Sequence, residues 1–64
     1  MKYKMYSKIR LTTDRYKDNG VGKGTCGIIM NIYDETSFEV HFLDNKGETS
    51  NIYFAVTEKD IELV

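Results

Sequence analysis

Two groups of residues in this chain of 64 have types and spacing that could do chemistry. One is Gly22-Lys23-Gly24-Thr25-Cys26-Gly27, where three glycines in six positions could cradle a phosphate. The other is the single cysteine, Cys26, with the single histidine, His41, and scattered acids, which could supply a nucleophile, a base or a metal ligand. Gly22, Gly24 and Gly27 formally satisfy G-x-G-x-x-G, but that fingerprint works only between a strand and a helix, whose N-terminus receives the phosphates. Ile28 to Tyr33 reads as β-strand, and the spacing of a P-loop is absent. The glycines therefore read as structural: Gly22 and Gly24 for turn conformations, Gly27 for a bulge or a close backbone approach inside a strand.

Cys26 has no second cysteine to pair with and no neighbouring histidine, so it reads as a small buried hydrophobe in a core position. His41 lies between Val40 and Phe42 and reads as a strand residue facing away from the apolar side chains. Ser7, Ser37 and Ser50 have no motif around them, and no nucleophile, base and orienting group can be assembled. The expectation is a protein that is not an enzyme, with no metal, no cofactor and no small-molecule substrate.

Charge is distributed unevenly along the chain. Residues 1–25 carry a net +5 and residues 26–64 a net −6, leaving −1 overall. Such asymmetry either marks a surface for a charged partner or neutralises itself across neighbouring strands. The pI of 5.7 argues against nucleic acid as the first choice of partner. Still, Lys2, Lys4, Lys8, Arg10, Arg15, Lys17 and Lys23, interleaved with Tyr3, Tyr6 and Tyr16, could neutralise phosphates and stack on bases. The longest apolar run, Cys26 to Met30, is too short to span a bilayer, and MKYKMYSKIRL has the charges of a leader without its apolar core. A cytoplasmic location with no membrane partner is expected.

The elements that must position these residues are strands. Ile9 and Leu11 alternate with polar neighbours in a first strand over residues 6–13, and Asp14 to Gly24 follows as a long polar loop. A second strand runs from Gly24 to Tyr33, and a third carries Phe38, Val40 and Phe42. Asp44-Asn45-Lys46-Gly47 has hairpin chemistry, leading to a fourth strand over Glu48–Val56. Thr57 to Asp60 fits a single 3₁₀ turn, and Ile61 and Leu63 form a last short strand able to pair with the first. The whole chain, 1–64, is one all-β domain, with residues 1–5 read as loosely ordered.

K-G-T-C-G-I-I at 23–29, E-V-H-F at 39–42, D-N-K-G at 44–47 and T-E-K-D-I-E-L at 57–63 give the chain a family likeness. It resembles the SH3-like small barrels, and most closely a family of short bacterial chains of unknown function. The resemblance implies a five-stranded, partly open barrel with a long loop after strand 1 and a 3₁₀ turn before strand 5. It also implies a binding module, since several such small proteins serve as immunity proteins or antitoxins. On that expectation the acids Asp34, Glu35 and Glu39 with Tyr33, and Tyr16 with Lys17 on the long loop, form the partner-binding set. The partner would be a protein, a basic toxin domain being the leading case. A nucleic-acid module of the KOW type and an accessory subunit domain are the alternatives.

Overall fold

Alternating apolar residues, broken by turn-forming Asp, Asn and Gly, cut this chain into short strands that must pair with one another to satisfy their backbones. The computed structural model of the chain describes residues 2–64 and contains five strands: β1 (Lys8–Leu11), β2 (Cys26–Asp34), β3 (Ser37–Leu43), β4 (Thr49–Thr57) and β5 (Ile61–Leu63). They form one antiparallel sheet in the order β4-β3-β2-β1-β5, which is the SH3-like arrangement. Strands β2 to β4 make the meander, and β5 returns to pair with β1, Leu11 opposite Ile61. The sheet is not closed: β4 and β5 are its edges.

The inward side chains Ile9, Leu11, Ile29, Phe38, Val40, Phe42, Val56 and Ile61 form the core. Burying each removes enough apolar surface from water to contribute roughly 1.5–3 kcal/mol. Two devices let the sheet curl around them. Gly27 is a close approach: a Cβ there would lie 2.5 Å from Val40 Cγ1 and 3.0 Å from the His41 carbonyl oxygen. The bulge comes three residues later, where Ile29 pairs with Val40 but Asn31 pairs with Glu39, leaving Met30 as the extra residue. A bulge adds local twist and restores the inward phase, so that Ile32 again faces Phe38.

Local chemistry shortens β1 and organises the long loop. Tyr6 takes a positive φ of 69° in the turn from Lys4 to Ser7, so the strand begins at Lys8 rather than at residue 6. Within the loop, whose composition alone shows no regular element, Lys17–Asn19 forms a 3₁₀ turn closed by Gly20 at a φ of 94°. Gly22 does not need a left-handed conformation. It lies against Asp14, whose Oδ1 accepts a 2.8 Å hydrogen bond from the Lys23 N–H. The second 3₁₀ turn, Glu58–Asp60, stands before β5 as its polar residues suggested.

Two tyrosines fill what the open sheet leaves uncovered. Tyr3 is buried, packs its ring 5.2 Å from that of Phe38, and donates its hydroxyl to the Ile61 carbonyl at 3.1 Å. Of the five leading residues, Met1 lies outside those described, and Tyr3 belongs to the core. Tyr16 comes from the long loop and sets its ring 5.1 Å from Phe54. Replacing Gly27 by Ala drives a methyl into Val40 and the β3 backbone and should cost about 2 kcal/mol. In a domain of this size that lowers the thermal midpoint by roughly 8–16 °C, and an unchanged midpoint would show that β2 does not approach β3 as described.

Candidate functional site: the outer face of the meander

Strand periodicity of two, with the Met30 bulge, places Tyr33 of β2, Glu39 and His41 of β3 and Tyr53 of β4 on the face turned away from the core. The Tyr33 hydroxyl donates to Glu39 Oε2 at 3.2 Å, and His41 Nε2 lies 3.3 Å from Glu39 Oε1. His41 stacks on Tyr53, with ring centroids 4.8 Å apart and planes 17° from parallel. The result is a connected row of polar and aromatic groups crossing three strands. Both tyrosines are more than half exposed, at 53% for Tyr33 and 59% for Tyr53. Partial desolvation, then the charge of Glu39 and the hydrogen bond it accepts, hold the Tyr33 phenol above its usual value.

The predicted residues fall in two places. Tyr33, Asp34, Glu35 and Glu39 gather at the β2–β3 hairpin. Asp34 is a turn-builder: its Oδ1 accepts from the Thr36 N–H at 2.8 Å and the Thr36 hydroxyl at 3.1 Å, which holds its carboxyl below the ordinary value. Glu35 is exposed at the tip, beside a shallow depression that Lys2, Tyr3, Thr36 and Glu58 also line. Tyr16 and Lys17 lie apart on the long loop. Lys17 is exposed, but Tyr16 is half-buried and its hydroxyl is engaged, donating to Asp60 Oδ2 at 2.6 Å.

Asp60 was not singled out in the sequence, yet it is the one buried charged residue among those described, at 4% exposure. Its Oδ2 also takes Arg15 Nη1 at 3.3 Å and the Thr57 hydroxyl at 3.4 Å. Arg10 bridges to Glu62 at 2.8 Å. Both ion pairs join the basic first part of the chain to its acidic remainder, so part of the charge asymmetry is neutralised internally. Of the three tyrosines interleaved with the basic residues, Tyr3 is buried and Tyr16 is anchored, which leaves Tyr6 exposed. Cys26 corrects the expectation of a core cysteine: it is half-buried and pairs with Arg10 on the outward row, because Gly27 takes the inward position. No group of three metal-ligating side chains occurs among the described residues.

These features define a small all-β domain of the SH3-like type whose outer face carries an aromatic and acidic row. The chain belongs to the family described as Domain of unknown function (DUF4926), whose model matches residues 5–62. No curated protein and no solved structure matches it.

Burial, the hydrogen bond to Asp60 and the Asp60 charge all raise the Tyr16 phenol above 10.0. A group whose folded pKa exceeds its unfolded value contributes stability that is complete below the unfolded value and is lost as pH climbs through the folded one. Denaturant titrations should therefore show stability falling above about pH 10. Tyr16→Phe should lose about 1–2 kcal/mol at neutral pH, by leaving a buried carboxylate short of a donor, and should fall less steeply in alkali. Identical alkaline limbs in both proteins would mean that Tyr16 and Asp60 are not joined.

Proposed function

We propose that this chain is a non-enzymatic protein-binding module of the immunity or antitoxin type, which neutralises a basic partner by direct contact through the β2–β3 hairpin. The observation that carries the reading is Tyr33, an exposed ring whose hydroxyl is already held by Glu39. A tyrosine offers a large contact area with few rotatable bonds, and one restrained before binding loses little further freedom on docking. Asp34, Glu35 and Glu39 around it supply the negative field that speeds encounter with a basic surface. A nucleic-acid module has less support, since Tyr3 is buried and Arg10 and Arg15 are paired.

Tagged chain expressed in its own cells and purified at low salt should retain one basic protein in a 1:1 ratio, released as salt is raised. That protein should arrest growth when expressed alone and be relieved by this chain. Tyr33→Ala should weaken binding by about thirtyfold, the loss typical of an aromatic anchor worth roughly 2 kcal/mol. Absence of any stoichiometric protein at low salt, or a partner held equally by Tyr33→Ala, contradicts the proposal. A salt-sensitive shift of labelled RNA in its place would favour the nucleic-acid reading.

A further inference from the structure

Tyr6 is held in a conformation that its residue type resists. It is the third residue of the Lys4–Ser7 turn, which the Ser7 N–H closes on the Lys4 carbonyl at 3.1 Å, and its φ is 69°. Its N–H donates to the Ile29 carbonyl at 2.7 Å while the Ile29 N–H donates to the Ser7 carbonyl at 3.0 Å, so Tyr6 and Ser7 together face one residue of β2. That is a bulge whose first position ordinarily holds glycine, because a Cβ crowds the backbone in the left-handed region. Among the described residues Tyr6 is the one non-glycine with a positive φ. Burial does not repay the strain: the residue is 67% exposed, whereas Tyr3 and Tyr16 pack their rings on Phe38 and Phe54. Strain kept at an exposed aromatic directs attention outward, to something the ring must meet.

The surroundings of Tyr6 specify the chemistry of that partner. Met5 precedes it and is exposed, and the hydrogen bond to Ile29 sets Tyr6 beside Met30, the extra residue of the β2 bulge, which is exposed as well. One stiff ring and two flexible thioether chains make an adaptable apolar patch. Lys4 and Lys8 flank the turn, both exposed. Neither takes part in the ion pairs of the described residues, which join Arg10 to Glu62, Arg15 to Asp60 and His41 to Glu39. Unpaired cations around an apolar patch complement a chain that is both acidic and apolar. Single-stranded nucleic acid is held by successive rings along a basic track, and here one exposed ring stands between two lysines. We propose that the Lys4–Ser7 turn, with Tyr6 at its centre and Met5 and Met30 beside it, docks an acidic peptide segment that carries apolar side chains. The surface is opposite in charge to the hairpin acids around Tyr33, so the two proposals fail separately.

Titration of the isotope-labelled full chain with a short synthetic peptide alternating glutamate and leucine, followed by amide chemical shifts, tests the assignment. The amides of Met5, Tyr6, Ser7 and Met30 should move, and affinity should fall as salt rises. A peptide alternating glutamate and serine should bind more weakly, since it lacks the apolar contacts. Tyr6→Gly should cut affinity for the glutamate–leucine peptide about tenfold, the loss of one aromatic contact. The same substitution should hold or raise the thermal midpoint, because glycine takes a positive φ freely. A tyrosine kept for packing would do the reverse, so the two readouts separate docking from folding. Lys4→Ala with Lys8→Ala should weaken binding and flatten its salt dependence. Shifts that avoid the turn, affinity indifferent to Tyr6→Gly, or a lowered midpoint in that variant overturns the proposal. Oligothymidylate moving the same amides where the peptide does not would overturn it in favour of nucleic acid.

Discussion

One buried carboxylate holds the two ends of this fold in register. Asp60 precedes β5, and its Oδ2 gathers the Tyr16 hydroxyl, the Arg15 guanidinium and the Thr57 hydroxyl, while its backbone carbonyl accepts from the Thr12 N–H at 2.9 Å. A carboxylate taken from water without such partners would be costly to fold around. With them, it fixes the long loop to the turn before β5 and so sets how the last strand returns to β1. Replacing Asp60 by an apolar residue would leave Tyr16 without its acceptor and the loop without its anchor.

The anchoring matters because the sheet is open. A closed barrel covers its own core, but here β4 and β5 do not pair, and the chain supplies the missing wall from segments with no regular structure. Tyr3 closes one side between Ile61 and Phe38, and Tyr16 closes another against Phe54. Each side chain is apolar along its ring and polar at its tip, which suits a boundary between core and water. No buried side-chain nitrogen or oxygen is left without a partner among the described residues. Small domains bury a modest share of their surface, so little margin exists for an unmade bond.

Five strands, the meander and the 3₁₀ turn before β5 were legible because alternation and turn chemistry are local signals, and Asp44 to Gly47 or Ile52, Phe54 and Val56 state them plainly, whereas the pairing of β1 with β2 across the long loop is not local. The Met30 bulge was not legible, since an extra residue shows in pairing and not in composition. Nor was the meeting of His41 with Tyr53. The hairpin register shifts between His41 and Leu43, whose partners are Tyr53 and Thr49, so counting back from the turn gives the wrong neighbour. Asp60 was hidden for a related reason: among Thr57, Glu58 and Lys59 it looks like one more solvated charge, and only the folded loop brings Tyr16 and Arg15 to it. Tyr33 with Glu39 was accessible, because both flank the short turn that joins β2 to β3.

The outer row ties the hairpin end of the molecule to its open edge. Glu39 accepts from Tyr33 with one oxygen and lies against His41 with the other, and His41 rests on Tyr53 at the edge strand. Each contact in the row limits the rotamers open to the side chain beside it. Because β3 lies between the two tyrosines and is packed on its inner side by Phe38, Val40 and Phe42, the row rests on the least deformable part of the domain. Tyr33 at the hairpin and Tyr53 at the edge strand are therefore linked through side chains of one strand that is well packed on its inner side.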